Sequence, residues 1–186
     1  MKQLQEIWGD LPLKSDKGDV HSYLPVYEEI LAPYREKAKN ILEIGLFNGA
    51  SLLMWEQYFA GKVHGIDCSD TPHDSLADLR PLLDGTHNIH IMDAEDPEAI
   101  KKAFGCIKFD VVIEDAGHHV EQQLKLYDLF KPYLKTSSIY IIEDIQNIDA
   151  DKRLFESIDP EKKVTILDRR AINNRYDDVL VIISNK

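Results

Sequence analysis

Seven short apolar runs, rich in β-branched residues and separated by helix-length stretches, constrain this chain more than any other feature. They are Asn40–Ile44, Lys62–Ile66, Ile89–Met92, Phe109–Ile113, Ser138–Ile142, Lys163–Leu167 and Val179–Ile183. Each is bounded by polar or turn residues, and short runs of that kind read as strands. The intervening pattern predicts helices over Ala50–Phe59, Ser75–Leu83, Pro97–Phe104, Val120–Tyr133 and Ala150–Ile158, with one more at Leu24–Ala38. In Val120–Tyr133, Leu124, Tyr127, Leu129, Phe130 and Tyr133 approximate an apolar stripe. Alternating strands and helices imply right-handed βαβ units, hence a mostly parallel α/β sheet with helices on both faces. Runs such as VVI, IYII and VLVII are apolar throughout, as strands buried on both faces must be. The link Asp168–Asp178 is short for a crossover helix, so the last two strands are expected to form an antiparallel pair at one edge.

With 186 residues the chain suits a single domain, in which residues 1–39 form an N-terminal arm and helix and 40–186 the sheet core. Asp and Glu total 33 against 22 Lys and Arg, a formal charge of −11. That balance disfavours nucleic acid as a partner, because the phosphate backbone is held by clustered Lys and Arg. No apolar run approaches the ~20 residues that span a bilayer, and the first residues lack the apolar core of a secretory signal. A cytoplasmic protein is expected, with Cys68 and Cys106 as reduced thiols. A homo-oligomer is compatible with the sequence, which specifies no assembly.

Ligands of open α/β sheets bind outside the C-terminal strand ends. Here those ends carry Glu43 with Gly45 and Gly49, then Asp67, Asp93, Asp115 with His118, and Glu143 with Asp144. Gly45 lets the chain turn off the first strand, and Gly49 lets the next helix pack close. The spacing lacks the middle glycine of a dinucleotide loop and the Gly-Lys-Ser/Thr of a P-loop, so a nucleoside without phosphates fits better than NAD or ATP. Asp67 is placed to accept bonds from ribose hydroxyls, and Asp93 from an adenine amino group. The competing role for Asp93 is to cap the helix that starts at Pro97.

These residues resemble the class I S-adenosylmethionine-dependent methyltransferases, through Glu43-x-Gly45-x-x-x-Gly49, Asp67 and the pair Asp93-Ala94. The resemblance implies a Rossmann-like, seven-stranded sheet with a reversed last strand, and S-adenosylmethionine as cofactor. It puts Glu43 and the loop at the methionine part, Asp67 at ribose, and Asp93 with Ala94 at adenine.

The remaining acids are hard oxygen ligands with no thiolate nearby, which selects Mg2+, or Mn2+ or Ca2+, over zinc. Neighbouring strands bring Asp115 and the Glu143-Asp144 pair to one ion. Consecutive strand residues face opposite ways, so both acids of a pair can reach one ion only where the strand has ended. On strand four Asp115 lies nearer the loop, and Glu114 is expected to meet a cation or polar group behind the sheet. His118 is the expected general base; it can instead be a metal ligand or a helix N-terminal residue, and His119 is its local rival.

Asp115-x-x-His118 with Glu143-Asp144 looks like the metal-dependent macrolide-sugar O-methyltransferases and the related cephalosporin hydroxylase-like proteins. The lead-in Ser15-Asp16-Lys17-Gly18-x-x-His21-x-Tyr23, followed by Tyr27-Glu28, is similar to theirs. The resemblance implies Mg2+ on Asp115, Glu143 and Asp144, with His118 as base. One departure is Ala116-Gly117-His118-His119 where Gly-Ser-His is expected; another is size, with little material for the extra domains and lids that select macrolide sugars, so that substrate does not carry over. Lys17, His21 and Tyr23 are expected to fold over the donor and pair with its carboxylate, with an arm packed on the domain surface as the alternative. The reaction expected is O-methylation of a small hydroxylated acceptor, a sugar among them. A catechol-type enzyme and a non-catalytic donor-binding protein are the alternatives.

Overall fold

All seven apolar runs form strands in the computed structural model, which describes residues 2–68, 82 and 85–186. The strands are β1 (Asn40–Ile44), β2 (Lys62–Asp67), β3 (Asn88–Ile91), β4 (Phe109–Glu114), β5 (Leu134–Ile142), β6 (Lys162–Asp168) and β7 (Val179–Asn185). They join in one sheet of order β3-β2-β1-β4-β5-β7-β6. Pairs from β3 to β5 are parallel, whereas β7 is antiparallel to both β5 and β6. The order reverses direction between β1 and β4, the switch point where such sheets open a crevice.

Strand alternation divides the core. Ile41, Val63, Val111, Ile113, Ile139 and Ile141 face helices α1 (Leu4–Asp10), α2 (Leu24–Leu31) and α3 (Ala50–Tyr58). Leu42, Ile44, Ile66, Val112, Tyr140 and Ile142 face α4 (Pro97–Phe104), α5 (Val120–Phe130) and α6 (Ile148–Glu156). A one-turn helix, α7 (Arg170–Asn173), interrupts the β6–β7 link. The predicted helix Ser75–Leu83 falls outside the described residues except for Leu82.

Three elements differ from the sequence pattern. Helix α2 stops at Leu31 rather than running to Ala38, because Pro33 has no amide hydrogen and its ring crowds the preceding turn. Strand β5 starts four residues early, at Leu134: Lys135, Thr136 and Ser137 are too polar to look like a strand, yet Leu134 pairs with Phe109 before a register shift. The buried face of α5 is Gln123, Leu126, Tyr127 and Phe130, while Leu124 and Leu129 are only half-buried. That is an i, i+3, i+4, i+7 stripe that includes a polar residue, which an apolar count passes over.

His64, on β2, stacks 6.0 Å from His90 against Phe104 and Phe109, and neither of its ring nitrogens has a hydrogen-bond partner. Burial lowers its pKa to about 4, so the folded ring stays neutral where the unfolded one protonates. The unfolded chain therefore binds the extra proton between pH 6.5 and about 4, and stability falls as pH drops through that window. His64→Leu is expected to stabilise the fold by about 1–3 kcal/mol at pH 5, and by less at pH 7.5. Urea melts at the two pH values measure this; a less stable variant at pH 5 would refute it.

Candidate active site: an acid nest at the strand ends

The N-terminal arm is shaped by local contacts before it reaches the sheet. Trp8 donates from Nε1 to the Ser15 carbonyl at 2.7 Å, and Lys14 ties down the carbonyls of Trp8, Gly9 and Leu11. Gly18 lies flat against the Trp8 ring, where a side chain would collide. Farther along, Ser22 donates from its amide and hydroxyl to Asp178, and Arg169 donates to Ser22. The arm is thus pinned to the β6–β7 link and delivers Lys17, His21 and Tyr23 to the ends of β4 and β5.

Lys17 is 1% exposed and surrounded by carboxylates. Its Nζ donates to Asp115 Oδ2 at 2.5 Å and to Glu143 Oε2 at 2.9 Å, and lies 3.7 Å from Glu43 Oε1. Tyr27 donates to Glu143 Oε1 at 2.5 Å, and Gln123 to the Glu143 carbonyl at 3.0 Å. Tyr23 donates to Asp144 Oδ1 at 2.8 Å, and His21 Nε2 is 3.3 Å from Asp144 Oδ2. Glu143 and Asp144 lie past the last residue of β5, and Asp144 has a left-handed φ of 56°. Strand alternation therefore no longer separates these neighbours. On β4 the alternation does hold. Asp115 reaches the nest, while Glu114 is fully buried on the other side and accepts from the Ala116 amide. Of the two partners expected for Glu114, a cation or a polar group, it meets a polar one, the Ala116 amide; among the described residues no ion pair reaches it, and burial raises its pKa to about 8.

Asp115, His118 and Asp144 come together. One ligand atom from each lies within 4.8 Å of the other two. His118 enters this group because its own φ is 56°, a left-handed turn that aims the ring back toward the strand ends. His119 is exposed and begins α5. The electrostatics are those of a site short of positive charge. Burial raises Asp144 to about 8, with Asp115 adding to it, and raises Glu43 to about 7 against the pull of Lys17. Glu143 is pushed up by burial as well. Burial alone would deprotonate Lys17, but Asp115, Glu143 and Glu43 outweigh it and hold its pKa well above the usual lysine value. Among the described residues the one fixed positive charge paired with these acids is Lys17; His21 lies beside Asp144, and burial lowers its pKa and so favours the neutral ring. Two hard oxygens and an imidazole in an under-neutralised nest fit a Mg2+-like ion by donor type and charge.

A family model for a methyltransferase domain matches residues 42–145, the span from β1 to the acids after β5. This chain belongs to that methyltransferase-domain family. Its sequence relatives include the 8-demethyl-8-alpha-L-rhamnosyl tetracenomycin-C 2'-O-methyltransferase of Streptomyces olivaceus, 30% identical over 71% of this chain and 35% of that protein. Another is the L-olivosyl-oleandolide 3-O-methyltransferase of Streptomyces antibioticus, 33% identical over 72% of this chain and 35% of that protein. The chain covers about a third of the length of these curated relatives. By structure it is similar to the MycE methyltransferase of mycinamycin biosynthesis, solved with Mg, SAH and mycinamycin VI. The TM-score is 0.75 at 18% identity, over 99% of this chain and 54% of that one. The fold is the Rossmann-like methyltransferase fold that the motifs imply.

In the donor half of this methyltransferase domain, Gly45 has φ +89° and Gly49 φ +77°, both left-handed. A Cβ on Gly45 would stand 2.0 Å from the Asp115 carbonyl oxygen, so the first loop can lie against β4 only with glycine there. Gly45→Ala is expected to destabilise the fold by about 2–4 kcal/mol, from strain and backbone collision together. Thermal melting checks it; an unchanged midpoint would mean the loop is free to move. Asp67 accepts at Oδ2 from the Leu46 and Phe47 amides, 2.8 and 3.1 Å, so the expected ribose acid is oriented by the loop beside it. Asp93 is exposed and accepts from the Glu95 amide, while Ala94 is half-buried against the core. The capping role falls to Asp96, which accepts from Glu98 and Ala99, and so Asp93 is not the helix cap.

Three residues expected at the donor contact the protein's own groups. Glu43 is fully buried, with Oε1 accepting from Trp55 Nε1 at 3.1 Å and lying 3.7 Å from Lys17 Nζ. Lys17 donates to Asp115 and Glu143, and Tyr23 to Asp144. The reason is electrostatic: a mobile surface amine gains little from a solvated carboxylate, whereas a buried one is held by several. Gln123 and Tyr27 received no role from the sequence, although Gln123 sits on an otherwise apolar stripe, and that was the available signal. A surface hollow of about 350 Å3, touched by Lys2, Arg35, Tyr58 and Phe59, lies at the opposite end of the strands from the nest.

Proposed function

We propose that this chain is an S-adenosylmethionine- and Mg2+-dependent O-methyltransferase acting on a hydroxyl of a sugar or other small molecule. The observation that carries the reading is the convergence of Asp115, His118 and Asp144 beside the Gly45 loop. The printed activities of the relatives, transfer to rhamnosyl and olivosyl sugars among them, support it. So does the likeness to a fold solved with Mg and SAH.

Asp115 and Asp144 would hold the ion. Gly45, Gly49 and the loop oriented by Asp67 would seat the nucleoside, with Asp93 and Ala94 at the adenine. A bound divalent ion stabilises negative charge on an acceptor oxygen, and the donor presents an electrophilic methyl carbon. His118 removes the acceptor hydroxyl proton, at the point where the ring nitrogen and the two carboxylates converge. Tyr23 and Tyr27 keep Asp144 and Glu143 in fixed orientations by donating to them, so little rearrangement is needed as charge develops. The site works by bringing two reactants together in line. Among the described residues no helix is long and apolar enough to cross a membrane, and we propose a cytoplasmic location.

Two measurements test this. Calorimetry should show S-adenosylhomocysteine binding in the presence of Mg2+; no binding at millimolar ligand ends the reading. Methyl transfer from labelled donor should then proceed on hydroxylated glycosides with Mg2+ and stop with EDTA. Selective turnover of catechols would replace the sugar assignment with a catechol-type one, and donor binding with no transfer would leave a binding protein.

A further inference from the structure

We infer that Gln122 is a positioning residue for His118: it clamps the turn that carries this histidine to the Asp93–Glu95 turn on the donor side, so that base and donor are registered to each other. The role rests on the methyltransferase reading above, whose two halves it joins.

His118 needs outside support. Its φ of 56° is a conformation that costs a residue other than glycine. Its Nδ1 is buried and has no hydrogen-bond partner among the described residues, so the ring takes its place chiefly from the backbone that carries it. The first turn of α5 holds that backbone from two sides. Gln123 donates to the Glu143 carbonyl at 3.0 Å, on the side of the acids. Gln122 turns to the donor side. Its Nε2 donates to Glu95 Oε1 at 2.7 Å, and its Oε1 lies against Gly117, where a Cβ would stand 2.0 Å from it. Gly117 is not left-handed, so this glutamine, rather than backbone strain, keeps residue 117 small. The same position is one where the segment departs from the expected Gly-Ser-His. At the far end of the clamp, the Glu95 amide donates to Asp93 Oδ1 at 2.8 Å, so the acid expected at adenine moves with Glu95. Lys125 also reaches Glu95, at 2.6 Å, but its side chain is 53% exposed, and an exposed ion pair is screened and loosely held. A planar amide set between two turns fixes direction as well as distance. The links run from Asp93 through Glu95 and Gln122 to Gly117 and His118. A misplacement of about 1 Å along such a chain can cost about 100-fold in rate.

The test reads His118 directly. Its ring resonance, assigned by its absence in His118→Ala, is followed in isotope-labelled protein as S-adenosylhomocysteine is added with Mg2+. In wild type the signal should move when this ligand binds. In Gln122→Ala the movement at saturating ligand should shrink at least about threefold, with the melting midpoint held and Mn2+ affinity within about twofold. On hydroxylated glycosides the same variant should lose at least about tenfold in kcat, with KM within about threefold. The exchanged pair Glu95→Gln/Gln122→Glu reverses donor and acceptor and keeps the net charge. It should restore signal and turnover to within about threefold of wild type. Gly117→Ser needs the volume that Gln122 Oε1 takes, so it should match Gln122→Ala, and the two together should lose no more than either alone. An unmoved signal in ligand-bound wild type, a full response in a folded Gln122→Ala variant, no recovery in the exchanged pair, or losses that multiply would each overturn the inference. If wild type binds no S-adenosylhomocysteine, the methyltransferase reading itself fails. The His118 signal of the ligand-free proteins then decides the clamp. It should differ between wild type and Gln122→Ala and return in the exchanged pair, and one identical signal in all three would end the clamp as well.

Discussion

His118→Ala is expected to lower methyl transfer by about 10²- to 10⁴-fold while leaving affinity for S-adenosylhomocysteine and Mn2+ within a few-fold of wild type. The argument is positional. His118 is half-buried, its backbone is left-handed, and a ring nitrogen lies within 4.8 Å of ligand oxygens on both Asp115 and Asp144. An imidazole there can reach a hydroxyl presented to the ion, and it is the side chain best suited to take a proton near neutral pH. The two roles open to His118 separate cleanly in this experiment. A base is needed for turnover and not for binding, whereas a ligand is needed for both. Loss of Mn2+ together with turnover would reassign His118 to the metal shell, and undiminished turnover would falsify any chemical role.

Asp144→Asn is expected to weaken Mn2+ binding by at least about 100-fold and to abolish turnover to the same degree, with the fold intact. Asparagine is a suitable probe because it tolerates the left-handed φ of 56° at this position and its carbonyl can still accept from Tyr23. What it removes is one negative charge and one hard anionic ligand. Stability should not fall, because the nest is rich in buried acids whose ionisation burial already opposes. Calorimetric titration with Mn2+ and a thermal melt on the same sample measure both halves. Retained ion binding would remove Asp144 from the ligand set, and with it the convergence on which the proposed function rests.

The sheet was legible because apolar runs of four or five residues, alternating with helical segments, leave few topologies open. All seven strands and the antiparallel β7 follow from that pattern. Boundaries were less legible where one local rule beat another. Pro33 ended α2 early, and the polar start of β5 was recruited by pairing with Phe109. In the site, the acids at the strand ends could be named from position alone, since period-two alternation and chain direction put them at one rim.

The partners of those acids were not legible in the same way. Nothing local in Ser15–Tyr23 says whether Lys17 meets solvent, a ligand carboxylate or the protein's own acids. Those contacts span 98 residues to Asp115 and 126 to Glu143. Nor does it say that Glu43 accepts from Trp55, or that Glu114 is buried with a backbone amide and no cation. Local pattern determined the strands, their order of appearance and the acidic rim, because backbone sterics and hydrophobic periodicity act over a few residues. Tertiary packing alone decided which carboxylates meet lysine and which meet tyrosine or histidine, because charge pairing in a buried space depends on distances that only the assembled sheet and its docked arm define.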